Sequence, residues 1–253
     1  MSRPTTTAAL RRWNVGVGVA HLLQAIVLLV LSNDFAIPVE ARVQDGPPGT
    51  PLTIDKVFFD LRFSVAIAVF LLFAAVDHLA MAAPRVVGWY ESNLAKSINP
   101  ARWAEYSVSA SIMIVLIAML PGVTNLYALI GLFSVNAAMI LFGWLMERVN
   151  RPGEPVTWWP FVFGCVVGVV PWVAITIALI TSQQEGDGVP GFVYGIFVSL
   201  FVLFNCFALN QWLQYRGKGR FADYLYGEKV YLVLSLVAKS ALAWQVYAGT
   251  LAD

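Results

Sequence analysis

The stretch YLVLSLVAKSALAW, residues 231–244, carries a single charged side chain, Lys239, in the middle of an apolar run. Whether that run lies in lipid or in a protein core decides the fold, and composition answers the question. Of 253 residues, 59% are hydrophobic and 12% charged, against about 25% charged in a soluble domain. This is a membrane composition. At a rise of about 1.5 Å per residue, Lys239 lies roughly 14 Å in from Val230, close to the bilayer centre and too deep to snorkel. A lysine there costs about 2.5–3.5 kcal/mol on insertion scales, so its retention needs a chemical reason. Two reasons are open: the neutral amine is a nucleophile that condenses with an aldehyde, or the ammonium pairs with a carboxylate and locks two helices together.

A bilayer core about 30 Å thick takes roughly 20 apolar residues per helix. Seven stretches qualify: 13–32, 58–81, 100–120, 124–146, 157–181, 189–213 and 226–250. They predict an all-α membrane protein, a single seven-transmembrane helix bundle over residues 1–253. The first span is too long for a signal peptide, and LSNDFAIPVEA offers no small-residue cleavage site, so it is read as part of the protein. Lysines and arginines are counted in alternate loops. Arg3, Arg11, Arg12, Arg85, Lys96, Arg102, Arg148, Arg151, Arg216, Lys218 and Arg220 fall on the side of the N-terminus, and only Arg42 and Lys56 on the other. That asymmetry places the N-terminus in the cytoplasm and the C-terminus outside, in the cell membrane.

The connections add shape. In the first outer loop, IPVEARV and LTIDKV alternate apolar and polar residues around DGPPGT, which predicts a small β-hairpin. The PGVT link is short enough to make the third and fourth spans antiparallel neighbours. Cys165 and Cys206 both sit in apolar runs and read as buried small hydrophobes, not as a disulfide framework. A net charge of +1 with two histidines gives no basic footprint for nucleic acid. No internal repeat supports a transporter built from inverted halves.

Intramembrane ionisable groups usually face the bundle interior and carry function. Besides Lys239, the ionisable groups that stand out within these spans are His21, Asp77, His78, Glu105, Glu228 and Lys229. Ser235 precedes Lys239 by four residues and so shares its helix face, where it either bonds the lysine nitrogen or bonds back to its own helix. Glu105 is the best partner for the lysine. With Pro100 in the first helical position and Asn99 as cap, it lies about 8 Å inside the membrane, shallower than Lys239. The competing reading pairs Glu105 with neighbouring Arg102. His21 and His78 fall in the same half of the membrane as Glu105, which suggests a protonatable cavity. A zinc site is disfavoured because no HxxxH or HExxH spacing occurs, so no metal is expected. Asp77 is placed beside His78, and Glu228 and Lys229 are expected to snorkel at the start of the last span.

The segments VLSLVAKSALAWQ, RWAEYSVSASIMIVLIA, VNAAMILFGWL and VPGFVYGIFVSLFVLFN together resemble a heliorhodopsin, a seven-helix retinal protein with a cytoplasmic N-terminus. The resemblance covers all seven spans and agrees with the charge count, which was made independently. It implies covalent all-trans retinal on Lys239 as a Schiff base, Glu105 as counterion, Ser235 beside the linkage, and His21 and His78 in a proton-accepting cavity. It further implies a chromophore pocket of Tyr106, Ser109 and Met113 on the third span and Asn136, Met139 and Gly143 on the fourth. Phe204 and Gln211 on the sixth and Trp244 on the seventh complete it, with Gly168, Pro171 and Trp172 on the fifth as weaker candidates. The helix-three set fits one face, since residues 105, 109 and 113 are spaced by four.

These readings predict a light-sensing photoreceptor, not an enzyme. The outer halves of the third and seventh spans, SIMIVLIAML and SALAWQVYAGTL, contain no carboxylate for a relay, which favours sensory transduction over ion pumping. The alternatives are a light-driven or light-gated proton transporter, and a permease for polar substrates without retinal. Gly164 and Gly168 in GCVVG share a helix face, so either a homodimer through the fourth and fifth spans or close packing within one chain is expected; the family's dimeric habit favours the former. The loop QYRGKGRFADYLYGEK is a candidate docking segment for a cytosolic signalling partner or anionic lipid, although its charges already have a topogenic explanation.

Overall fold

The computed structural model describes residues 5–52 and 54–252. Arg3, counted above, and Thr53, in the second hairpin arm, lie outside the described residues. Seven helices are long and apolar enough to cross a membrane: α1 (Thr7–Leu31), α2 (Phe63–Ala82), α4 (Pro100–Met119), α5 (Leu126–Val149), α6 (Trp159–Glu185), α7 (Gly191–Arg216) and α8 (Tyr224–Val246). α8 runs on into a π-helical turn, Tyr247–Leu251. A short helix that the sequence reading did not anticipate, α3 (Val87–Leu94), lies between α2 and α4.

Helix starts follow local chemistry. Thr6 caps α1 by accepting from the Ala9 N–H, and Asn125 caps α5 by accepting from the Tyr127 and Ala128 N–H groups. Pro100 occupies the first turn of α4, and the Asn99 side chain accepts from the Arg102 N–H. Pro171 is tolerated inside α6, as neighbouring helices permit in a membrane.

The predicted hairpin is present, with one boundary moved. Strand β1 (Ala36–Val43) pairs antiparallel with β2 (Ile54–Arg62), with an irregularity between Val39 and Glu40. Residues 58–62, expected to open the second span, belong to β2, because the FFDLR tail keeps pairing back to Ala36 before the chain turns helical at Phe63. The hairpin is pinned to the α4–α5 turn: the Glu40 N–H donates to the Thr124 carbonyl at 3.1 Å, and the Thr124 hydroxyl donates to Glu40 Oε1 at 3.0 Å. Two exposed ion pairs, Arg42–Asp55 at 3.3 Å and Arg62–Asp34 at 3.1 Å, add little in water.

The core occupies the half of the bundle on the hairpin side. There Phe63, Ile67 and Phe70 of α2, Ile114 and Ile117 of α4, and Leu242 and Val246 of α8 are buried together. The opposite half, where the chain begins, instead buries polar groups. Gly164 and Gly168, expected as a dimer surface, face α5 of the same chain. A Cβ on Gly164 would stand 3.5 Å from the Met139 carbonyl, and one on Gly168 2.5 Å from Met139 Sδ. The small residues let two neighbouring helices approach and are used within the chain. Cys165 is exposed on the outer face and Cys206 half-buried, both as free thiols, so the expectation of burial fails for Cys165.

Candidate functional site: a buried lysine at the end of an apolar cavity

Lys239 and Glu105 are 3% and 2% exposed, and Lys239 Nζ lies 3.3 Å from each Glu105 carboxylate oxygen. The depth difference between the two residues closes through side-chain direction. Helical side chains lean toward the N-terminus of their own helix, which carries the lysine stem back down α8 toward the shallower Glu105. The nitrogen donates to Ser235 Oγ, one turn earlier, at 2.9 Å, and sits 4.8 Å from the centroid of the Tyr106 ring. Tyr106 is held in place by donating its hydroxyl to the Tyr231 carbonyl at 3.0 Å. Both readings of Ser235 and Glu105 made from the sequence thus find a geometric answer. Ser235 bonds the lysine, and Glu105 pairs with Lys239 and not with Arg102, which is bound by Glu147 and Glu228.

Beyond the lysine lies a cavity of about 690 Å³ walled by α4 to α8, a size typical of ligand sites. Of the residues expected around a chromophore, Tyr106, Met113, Met139, Gly143, Phe204, Gln211 and Ser235 line it, as do Gly168 and Trp172. Gly143 is required there: a Cβ would stand 2.4 Å from the Trp103 ring. Replacement by alanine is therefore expected to cost more than Gly168→Ala, because a wedged indole cannot yield as the flexible Met139 thioether can. The predicted loss is about 1–3 kcal/mol at Gly143, read as a lower thermal midpoint, with a smaller drop at Gly168.

Four expected residues sit elsewhere. Trp244 is 39% exposed and donates its indole N–H to Gln24 of α1 at 3.0 Å. The reason is angular: five residues at about 100° each turn it roughly 140° away from Lys239. Asn136 donates to Ser111 Oγ at 3.0 Å and ties α5 to α4. Ser109 is buried, its hydroxyl has no partner among the described residues, and it does not line the cavity. Pro171 also lies outside the lining. The sequence reading missed Phe197 and Phe201, which with the expected Trp172 and Phe204 form a cage of rings. Trp172 meets Phe197, Phe201 and Phe204 edge-on at 5.8, 5.2 and 5.5 Å. The spacing of phenylalanines at 197, 201 and 204 was the available signal. Toward α6 and α7, Val169, Ile177 and Phe201 line the cavity and are exposed.

His21 and His78 stack with ring centroids 5.8 Å apart and both are buried. His78 Nδ1 lies 3.0 Å from Asn14 Oδ1 and 3.9 Å from Asp77. Neither ring nitrogen of His21 has a partner among the described residues. Glu228 does not snorkel as expected. It is 2% exposed and bound to Arg102 and Asn99. Buried Arg102 lies between two rings, with the guanidinium carbon 4.5 Å from the Trp103 centroid and 3.9 Å from that of Tyr231. Lys229 does reach outward, over Trp13 at 5.0 Å. No group of three or more His, Cys, Asp or Glu side chains suited to a metal occurs among the described residues.

A heptahelical bundle whose last helix offers a buried lysine to an aromatic cavity has the architecture of a microbial rhodopsin, and solved structures agree on the fold. The transmembrane domain of the Salpingoeca rosetta rhodopsin phosphodiesterase superposes with a TM-score of 0.67 at 14% identity, covering 95% of this chain and 84% of its own. A light-driven proton pump from Leptosphaeria maculans gives 0.65 at 14% identity, with 95% and 94% covered. Cyanorhodopsin from Tolypothrix sp. NIES-4075 gives 0.64 at 14%, again with 95% and 94% covered. No curated protein sequence matches. The sequence profile of the heliorhodopsins matches residues 10–251, and the chain belongs to that family. Family and fold make it a multi-pass membrane protein of the retinal photoreceptor class, whose chromophore is bound to a lysine.

Proposed function

We propose that this protein is a light sensor in which all-trans retinal is held covalently by Lys239 with Glu105 as counterion. The observation that carries the reading is the Lys239 nitrogen at the end of a large apolar cavity, 3.3 Å from a buried carboxylate. Retinal, when bound, supplies an aldehyde carbon for the amine and a polyene that absorbs light and isomerises. The residues do the rest. The rings of Trp172, Phe201 and Phe204 give an apolar enclosure that excludes water, and Gly143 and Gly168 leave room along it. Glu105 balances a positive charge on the nitrogen, and Ser235 accepts its proton in a hydrogen bond. Displacement of the nitrogen from Glu105 changes which group prefers the proton, which moves into the buried polar region around His21 and His78 on the same side of the lysine.

Sensing is favoured over pumping because the buried carboxylates among the described residues, Glu105, Glu147 and Glu228, all lie on one side of Lys239, while the other side is packed with Ile114, Ile117, Leu242 and Val246. A relay out through that side has no group to use. The N-terminus is placed in the cytoplasm by the charge count; burial of Arg102 removes one cation from that count without changing its sign. A homodimer rests on the family resemblance, since the glycine pair is used within the chain, and light scattering of the purified protein tests it. The docking loop for a signalling partner rests on its exposed basic residues.

The deciding measurement is an absorption spectrum after addition of all-trans retinal: a visible band is expected, and a colourless protein ends the proposal. For sensing against transport, illuminated proteoliposomes are expected to show no sustained change in external pH. A protonophore-sensitive drift overturns the choice and supports a proton transporter.

A further inference from the structure

Counting donors assigns charge within the buried cluster on the Lys239 side where the chain begins. Glu147 accepts from Arg102, from the Asn99 N–H at 2.9 Å, from Trp103 Nε1 at 2.7 Å and from the Tyr224 hydroxyl at 3.0 Å. A carboxylate met only by donors keeps its charge. Glu228 accepts from Arg102 and from Asn99 Nδ2 at 2.7 Å, which leaves it acceptor capacity. One guanidinium therefore faces two carboxylates, and the three buried side chains together carry one negative charge in excess. A buried charge without a partner is costly, and binding a proton removes it.

Glu228 also faces His78. A small polar cavity of about 10 Å³ separates it from His78, room for about one water. Three atoms of its lining residues, His78 Nε2, Arg102 Nε and the Tyr231 hydroxyl, are buried and lack partners among the described residues. The tautomer of His78 follows from its neighbour: Asn14 Nδ2 donates to the Leu10 carbonyl at 3.1 Å and to the Tyr90 hydroxyl oxygen at 3.3 Å, so Asn14 Oδ1 accepts from His78 Nδ1–H. The free lone pair is then on Nε2. The titratable groups facing Glu228 across this space are Asp77 and His78 of α2 and Tyr90 of α3. Arg102 and Tyr106 of α4, Glu147 of α5, and Tyr224 and Tyr231 of α8 complete the surroundings.

We propose that Glu228 is the group on which the proton from Lys239 comes to rest after illumination, an assignment that rests on the retinal reading above. One N–H bond at Nζ breaks and one O–H bond forms on Glu228. The cluster becomes neutral, Glu105 becomes the unpaired carboxylate, and the total charge of the bundle is unchanged. A proton held on either histidine would instead create a buried cation stacked against a second imidazole.

Light-minus-dark infrared difference spectra of the full-length, retinal-loaded protein test this. A positive band in the protonated-carboxyl C=O stretching region is expected, absent in Glu228→Gln and displaced in frequency in Glu228→Asp. The aspartate variant decides if the glutamine variant fails to fold. A band that is unmoved in Glu228→Asp, a wild-type spectrum without a positive carboxyl band, or a negative band assigned to Glu228 overturns the proposal. Failure of the wild type to form a visible pigment overturns the retinal reading instead, so the two failures are distinguishable.

Discussion

Lys239→Ala, purified in the presence of all-trans retinal, is expected to show no visible absorption band at all, a complete loss and not a shift. No other lysine or primary amine lines the 690 Å³ cavity among the described residues, so no second nucleophile can take over the attachment. The substitution also strands Glu105, buried and stripped of its cation, and breaking a buried pair from one side costs about 3–5 kcal/mol. A colourless single variant could therefore reflect misfolding. The double variant Lys239→Ala/Glu105→Gln removes both charges and restores neutrality; it is expected to fold with a thermal midpoint above that of the single variant and to stay colourless. A visible pigment in that folded double variant refutes the assignment of Lys239.

Glu105→Gln carries the second large effect. With the nitrogen 3.3 Å from both carboxylate oxygens, unit charges at an effective dielectric constant of about 20 attract by about 5 kcal/mol. Glutamine keeps the shape and a hydrogen-bonding oxygen but loses that attraction. Two spectral results follow from one cause. Where the nitrogen keeps its proton, absorption moves to longer wavelength, because the carboxylate stabilises a charge localised on nitrogen more than one spread along the polyene. Where it loses the proton, the visible band gives way to one near the ultraviolet. A spectrum of Glu105→Gln that superposes on the wild type at neutral pH removes the counterion role. Glu147→Gln is the informative contrast, since Glu147 is occupied by Arg102, Trp103 and Tyr224 and is expected to leave the band in place.

Charge position explains how much of the site could be read in advance. Lys239 and Glu105 stood out because each is an isolated charge at a computable depth. The Arg102–Glu147–Glu228 cluster did not, since each member sits near a span end where a charge ordinarily reaches water, and only the packing of α4, α5 and α8 takes them out of it. Trp244 was placed in the pocket by the family resemblance alone, and five residues of helical rotation turn it away from Lys239, whereas the phenylalanines of α7 converge on Trp172 only once α6 and α7 are set side by side. Tyr90 escaped notice for a similar reason: α3 is too short to announce itself by periodicity, yet it buries that ring against Asn14.

By itself the sequence determined the number of spans, the hairpin and the identity of the buried amine, because each follows from transfer of local stretches between water and lipid and needs no knowledge of neighbours. Which acid meets the amine, which rings enclose the cavity and which glycines are spent inside the chain were decided only by the tertiary structure. Those outcomes depend on the relative rotation and depth of helices distant in sequence, and rotation is set by side-chain interlocking across the whole bundle.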